Sequence, residues 1–266
     1  MNGGAIPISD AKLLLSIILV CLAGLVSTAL KLGLTKSLAI GTVRTFLQLG
    51  LIGYVLGYVF RVDNPLLMIA VLTVMTGIAA RTAAHRREIP IPGVGRHAFL
   101  ALLISSFFVG LIVIGVIISP TPWYTSRIAI PIFGMILGNS MNGVALALDR
   151  LNTEVRSHAG EIETLLSFGA TPWEAIRDHL KQSVRAGMIP TINSMMTVGI
   201  VSLPGMMTGQ ILSGADPIQA VRYQIVVQLM ISCAAAAGCL IAALLTYRDV
   251  FTPESALNPS FRKSID

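Results

Sequence analysis

The sequence predicts an all-α membrane protein with about seven transmembrane helices, organised as a single transmembrane domain over residues 1–266. Of its 266 residues, 54% are hydrophobic and 12% are charged, whereas about a quarter of the residues are charged in soluble globular proteins. The hydrophobic residues form runs long enough to cross a hydrocarbon core of about 30 Å. One long polar passage, residues 149–190, interrupts them. These observations predict a multi-pass protein of the cell (inner) membrane, with the lipid bilayer as its surroundings.

Seven apolar runs are candidate membrane spans, and each is bounded by polar or basic residues. They cover residues 11–30, 38–60, 66–80, 99–119, 128–148, 191–212 and 218–247. The third run is short for a span, so its end is poorly defined by composition. We find no internal repeat of the kind that many secondary transporters carry.

Basic residues in the connections predict the orientation of the chain. One side receives Lys31, Lys36, Arg81, Arg86, Arg87, Arg96, five residues of the polar passage, Arg248, Arg262 and Lys263, and the other receives Lys12, Arg61, Arg127 and Arg222. Since cytoplasmic loops are enriched in Lys and Arg, the N-terminus is expected outside and the C-terminus in the cytoplasm. The same rule accounts for the net charge of +6, so the charge does not indicate nucleic-acid binding.

The polar passage 149–190 contains the signals for a helix, a tight glycine turn and a second helix. Gly169 is the residue type that ends helices in the left-handed conformation. Thr171 can cap the next helix, Pro172 suits its first position, and Glu174 can close a capping box.

The second helix of this passage carries Trp173, Ile176 and Leu180 on one face. An exposed tryptophan of this kind anchors interfaces, which favours a partner protein. Alternatively, the loop folds back on its own helices, with Trp173 at the level of the lipid headgroups.

Two of the spans carry polar side chains that need partners. In the second span, Arg44 and Gln48 are four residues apart and share a helix face, which faces either a substrate pathway or, by snorkelling of Arg44, the cytoplasmic surface. The fifth span carries Asn139 and Asn142, whose amides bind either a neighbouring helix or a passing substrate. Gly134 and Gly138 in the same span form a pair typical of close helix packing.

The sixth span is predicted to be broken at Pro204 and Gly205, because proline removes a backbone hydrogen bond. Such breaks occur where protein or a watery cavity satisfies the freed groups. Pathway candidates around the break are Met195, Met206, Met207 and Gln210. Thioether sulfur is a soft metal ligand, so Met206 and Met207 are candidate metal ligands, although methionine is equally an ordinary packing residue.

The sequence lacks the residues that several kinds of chemistry require. We find no phosphate-binding P-loop motif, no metal-ligating triad, and no nucleophile with a base. The three cysteines lie in apolar runs without metal-ligand spacing. We therefore expect a transporter subunit that is not itself an enzyme, carries no cofactor, and takes its energy from elsewhere.

Two groups of residues resemble known families. The pattern of Leu165, Gly169, Ala170, Pro172, Glu174 and Ala175 resembles the coupling loop of ABC-transporter permeases. The segments 134–142, 202–212 and 220–224 closely resemble the FetB-type iron-export permease family. The similarity to this family extends over nearly the whole chain.

This resemblance implies an ABC permease whose ATP and Mg²⁺ are bound by a separate cytoplasmic ATPase subunit. It implies a homodimer of permeases with two ATPases, in which Leu165, Gly169, Ala170, Pro172, Trp173 and Glu174 take part in the coupling to the ATPase. The expected activity is export of iron or another metal ion. Two alternatives stay open: an ABC exporter of an organic solute, such as a nucleotide sugar or lipid, and a non-transporting membrane regulator of the ATPase.

Overall fold

A computed structural model describes residues 9–85, 93–122 and 124–261. Within these ranges the chain is helical and contains no β-strand. The basic residues Arg86, Arg87, Arg262 and Lys263, which entered the orientation argument, lie outside them. The helices are α1 (Asp10–Leu15), α2 (Ile17–Ala29), α3 (Thr35–Val62), α4 (Pro65–His85), α5 (Val94–Ile112, continued by a π-helical turn Val113–Ile118), α6 (Ser126–Ser157), α7 (Ala159–Ser167), α8 (Pro172–Thr197), α9 (Gly205–Leu212) and α10 (Pro217–Val250).

Six helical segments of the described chain are long and apolar enough to cross a membrane. They are Asp10–Ala29, Thr35–Val62, Pro65–Ala84, Val94–Ile118, Ser126–Ser157 and Pro217–Val250. The third contains 20 residues, so it is longer than the predicted 66–80 and has the usual length of a span. The fifth continues beyond the predicted end at residue 148 into the polar passage. These helices make the chain a multi-pass membrane protein.

The predicted sixth span, residues 191–212, is not a continuous helix in the structure. Helix α8 ends at Thr197, and α9 begins only at Gly205. Gly199 has a φ of +84°, a conformation that suits glycine, and Pro204 occupies the N-cap position of α9. Within the turn, the Gly199 N–H donates to the Ser202 carbonyl at 2.9 Å. The described part of the chain therefore has six continuous candidate spans and one interrupted segment.

Helices α6, α8 and α10 form the centre of the fold, and α4 and α5 pack around them. Helices α6 and α8 approach each other closely at two glycines, Gly143 and Gly187: a β-carbon at Gly187 would lie 2.7 Å from the Gly143 carbonyl oxygen. The sequence predicted close packing at two other glycines, Gly134 and Gly138. Gly138 has no atom within 4 Å of its β-carbon position, and at Gly134 the nearest atom is the Met75 methyl group at 3.4 Å. The prediction of close packing at Gly138 is therefore wrong within a single chain.

Helices α2 and α3 lie at the periphery of the fold. Their only buried residues are Ser27 and Val59. After α3, Asp63 adopts a left-handed conformation with φ +41° and accepts a hydrogen bond at 2.9 Å from the backbone N–H of Ser126, at the start of α6. This hydrogen bond holds the pKa of Asp63 below its usual range. It ties the end of α3 to the start of α6.

Candidate functional site

The turn between α7 and α8 has the geometry that its residues predict. Gly169 has a φ of +90°, its N–H donates to Leu166 at 3.0 Å, and the Ala170 N–H donates to Leu165 at 3.0 Å. This pair of bonds is a Schellman motif. Thr171 and Glu174 then form a reciprocal capping box, with Pro172 in the first turn of α8. The hydrogen bonds from the backbone and hydroxyl of Thr171 lower the pKa of the Glu174 carboxyl.

Two residues of the apolar face of α8 are turned inwards and are not available to a partner. Ile176 and Leu180 are buried, and both belong to the core cluster of the protein. The Trp173 ring lies edge-on to Tyr247 of α10, with 5.7 Å between ring centroids. The loop thus folds back on its own helices through Ile176 and Leu180. Trp173 touches Tyr247 but stays 43% exposed, so its role in binding a partner stays a prediction. A 3.6-residue periodicity identifies an apolar face but not what covers it.

Further exposed apolar residues of the hairpin lie at the end of α7. Phe168 is 86% exposed and Leu165 is 38% exposed, while Ile162 on the other side of α7 is buried. Phe168 was not among the predicted site residues. It directly precedes the glycine turn, and an aromatic residue beside an exposed turn is the sequence signal that could have identified it as a candidate contact residue.

A cleft of about 330 Å³ lies beside the interrupted helix. Met195 of α8 and Met207 of α9 line it together with Gln224 and Gln228 of α10. The Oε1 atom of Gln224 is buried and has no hydrogen-bond partner among the described residues. The remaining lining is Val198, Gly199, Leu203, Pro204, Val221, Ile225 and Leu229. The cleft therefore offers thioether and amide groups in mainly apolar surroundings.

Met206 and Gln210 lie on the other side of α9. They line a separate cavity of about 220 Å³ with Arg127, Met135 and Tyr223, among others. The structure thus places Met206 and Met207 in different cavities, although they are adjacent in sequence. They are not arranged as a pair of ligands for one ion.

Asn139 and Asn142 are near the cleft but bond to their own helix. Their side-chain amides donate to the Met135 carbonyl at 2.8 Å and the Gly138 carbonyl at 3.2 Å. Both residues line a small cavity of about 90 Å³ with Ser194 and Gln228. Gln228 also borders the larger cleft and donates to the Ser194 hydroxyl at 3.4 Å. A row of polar groups therefore runs from α6 to the cleft.

Arg44 and Gln48 are not part of this arrangement. Both side chains are exposed on α3, and neither lines one of the cavities described above. The structure brings together Met195, Met207, Gln224 and Gln228 and leaves these two residues apart.

A group of possible metal ligands, which the sequence analysis did not expect, lies at the base of the hairpin. Glu154, His158 and His179 place one ligand atom each within 4.8 Å of one another. Glu154 and His158 are four residues apart on α6, a spacing that sequence can show, but His179 is distant in sequence. The sequence analysis, which found no metal-ligating triad, therefore missed this group of possible ligands.

Comparisons with known proteins agree with the membrane architecture. The model of the uncharacterised protein family UPF0014 matches residues 11–251. The UPF0014 membrane protein YjkA of Bacillus subtilis is 41% identical over 246 residues, which is 92% of this chain and 97% of YjkA. The probable iron export permease protein FetB of Escherichia coli is 37% identical over 250 residues, which is 94% of this chain and 95% of FetB.

A plant protein is also similar. The protein ALUMINUM SENSITIVE 3 of Arabidopsis thaliana is 32% identical over 239 residues, which is 89% of this chain and 85% of that protein. No solved structure matches the chain significantly. Because the family match and these relatives extend over nearly the whole sequence, the chain belongs to the UPF0014 family of membrane proteins and is a homologue of the FetB-type permeases.

Proposed function

We propose that the chain is the membrane subunit of an ABC transporter that exports iron, or a related metal ion, from the cytoplasm. ATP and Mg²⁺ are bound by a separate ATPase subunit. The observation that carries the proposal is the cleft at the interrupted helix, where Met195, Met207, Gln224 and Gln228 converge. The name of the E. coli homologue, probable iron export permease, supports iron as the substrate.

The ligand types in the cleft suit transient binding of a metal. Thioethers favour softer metals, and amide oxygens are neutral donors. Neutral ligands bind a cation less tightly than carboxylates or thiolates do, and a transporter must release what it binds. The buried and unpartnered Oε1 atom of Gln224 supplies an acceptor without a partner in the described chain, as an ion-binding position requires.

Helix α8 supplies a direct mechanical connection between the hairpin and the cleft. It begins at Pro172, directly after the α7–α8 turn, and contains 26 residues up to Thr197 at the edge of the interruption. At a rise of about 1.5 Å per residue, such a helix is about 39 Å long. In the proposed mechanism, the ATPase binds the hairpin on the cytoplasmic side, and its ATP-driven closure tilts α8 and opens the cleft alternately to either side.

The proposed assembly contains two copies of this chain. Arg44 and Gln48 lie on the exposed surface of α3, and charged groups within a span ordinarily face protein or water rather than lipid. A second copy, packed against α3, would cover both side chains. In this assembly the N-terminus is outside and the C-terminus is cytoplasmic.

We expect Met207→Leu to weaken the response to iron, and Met206→Leu to serve as the matched control. Both substitutions conserve volume and cost little stability, typically below about 1.5 kcal/mol. Of these two methionines, only Met207 lines the cleft. The measurement is ATP hydrolysis by the permease–ATPase complex in nanodiscs, titrated with Fe²⁺.

In Met207→Leu, the Fe²⁺ concentration for half-maximal stimulation is expected to rise about tenfold, which corresponds to about 1.4 kcal/mol. Met206→Leu is expected to behave as the unmodified protein. An equal response of both variants would exclude the cleft as the metal path.

A second candidate substrate is an organic solute, because most residues that line the cleft are apolar. Nucleotide sugars and lipid-like solutes belong in the same titration. Stimulation by such a solute, without any response to metal, would retain the transporter assignment and replace the substrate.

A further inference from the structure

Two imidazoles converge on one carboxylate oxygen where α6 meets α8. The Nδ1 atom of His179 lies 3.1 Å from Oε2 of Glu154, and Nδ1 of His158 lies 3.5 Å from the same oxygen. The two imidazole rings are 4.8 Å apart between centroids. This site, which we call the α6–α8 cluster, shares no residue with the cleft.

These distances fit a shared metal ion. In a tetrahedral site with metal–ligand bonds of about 2.0–2.1 Å, neighbouring ligand atoms are about 3.4 Å apart. The two measured separations from Glu154 Oε2 are close to this value, and all three ligand atoms lie within 4.8 Å of one another. Side-chain movements could therefore bring the three atoms around one ion. Two histidines and one carboxylate bind Zn²⁺ and Fe²⁺ in proteins and leave coordination positions open for water.

The surroundings of the cluster orient its ligands and permit access. Glu154 is 5% exposed and His179 is 10% exposed, whereas His158 is 42% exposed. The other carboxylate oxygen, Oε1, pairs with Arg150, which orients the carboxylate and leaves Oε2 towards the histidines. An ordinary ion pair would need only one imidazole at Oε2. The half-exposed His158 provides a route by which an ion can enter.

We propose that Glu154, His158 and His179 bind a divalent first-row transition-metal ion. The ligands are Oε2 of Glu154 and Nδ1 of each histidine. On binding the ion, His158 exchanges its 3.0 Å contact with the Glu154 carbonyl for a bond to the metal. The site is distinct from the cleft and does not transport its ion.

The position of the cluster gives the ion a consequence for the hairpin. His158 immediately precedes α7, and His179 lies on α8, so the ion would link the two helices that flank α7. Metal ligation that ties such elements together stabilises their relative position. On the basis of the proposed function, occupancy of the cluster would hold α7 in one orientation towards the ATPase and so make coupling depend on cytoplasmic metal.

The test is binding of Co²⁺ to the purified full-length chain in nanodiscs, without a histidine tag, ATPase or ATP. We expect one ion per chain, with the visible absorption bands of a Co²⁺ site that contains nitrogen ligands. His158→Gln, at a half-exposed position, retains the fold and is expected to weaken binding at least tenfold. His179→Gln is expected to do the same. Zn²⁺ should displace Co²⁺.

A control variant at a nearby carboxylate defines the outcome. Asp178→Asn removes an exposed carboxylate on α8 that pairs with Lys181, and it is not expected to change Co²⁺ binding. Absence of binding to the unmodified chain, or equal binding by His158→Gln, would overturn the proposal. Because no histidine lines the cleft, the nitrogen-ligand bands and their loss in the histidine variants report on the α6–α8 cluster whether or not the cleft carries iron.

Discussion

Replacing Gly187 with alanine is expected to destabilise the helical bundle by about 1–3 kcal/mol, the range for overpacking of a filled core. The added β-carbon would lie 2.7 Å from the Gly143 carbonyl oxygen, 2.8 Å from Ala147 Cβ and 2.8 Å from Cys239 Sγ. Two of these atoms belong to α6 and the third to α10. Because one of the contacts is with backbone, a rotamer change cannot relieve it, and α8 must move away from α6.

The measurement is the temperature at which the detergent-solubilised protein loses its monodisperse peak in size-exclusion chromatography. Gly138→Ala is the matched control, since the same methyl group on α6 meets no atom within 4 Å and alanine favours a helix over glycine by about 1 kcal/mol. We expect a lower transition temperature for Gly187→Ala and an equal or higher one for Gly138→Ala. If the two variants melt alike, the α6–α8 contact is not as close as the structure has it.

Truncating Phe168 to alanine is expected to weaken the coupling between ATP hydrolysis and the permease without unfolding the permease. The ring is 86% exposed, so its removal opens no cavity in this chain. In the proposed complex, the ring fills a pocket on the ATPase, and such aromatic anchors contribute about 2 kcal/mol or more, which is about 30-fold in affinity. The measurements are the affinity of the ATPase for permease nanodiscs and the metal-stimulated rate of ATP hydrolysis.

Phe108 provides the matched control for this substitution. It is also exposed, at 62%, but lies on α5 within a candidate span. Phe108→Ala is expected to bind the ATPase with unchanged affinity. Unchanged affinity in Phe168→Ala as well would show that α7 does not contact the ATPase through this residue.

The features that were predictable from sequence are those whose determinants lie within a few residues of each other. The turn between α7 and α8 follows from Gly169, Thr171, Pro172 and Glu174, since each of these residues acts on the backbone beside it. The runs that correspond to the six continuous helices follow from length and hydropathy. Proline and glycine chemistry likewise indicated an interruption before Gly205.

Features that depend on contacts between distant segments were not predictable. Ile176 and Leu180 have the pattern of an interface, and only the fold shows that their own core covers them. The contact between Gly143 and Gly187, on separate helices, has no local signature. Met206 and Met207 are neighbours in sequence, but successive helical residues point in different directions. The two side chains therefore line different cavities.

The central claim, that this chain is the path of an ATP-driven metal exporter, is tested most directly by transport. The permease and its co-purified ATPase are reconstituted into proteoliposomes. Fe²⁺, Mg²⁺ and ATP are added to the external medium, where they reach only the complexes whose ATPase lies on the outer face of the liposome. The account predicts accumulation of iron in the lumen that requires ATP hydrolysis and is reduced in Met207→Leu. Sustained ATP turnover by the complex without any accumulation of iron would contradict it.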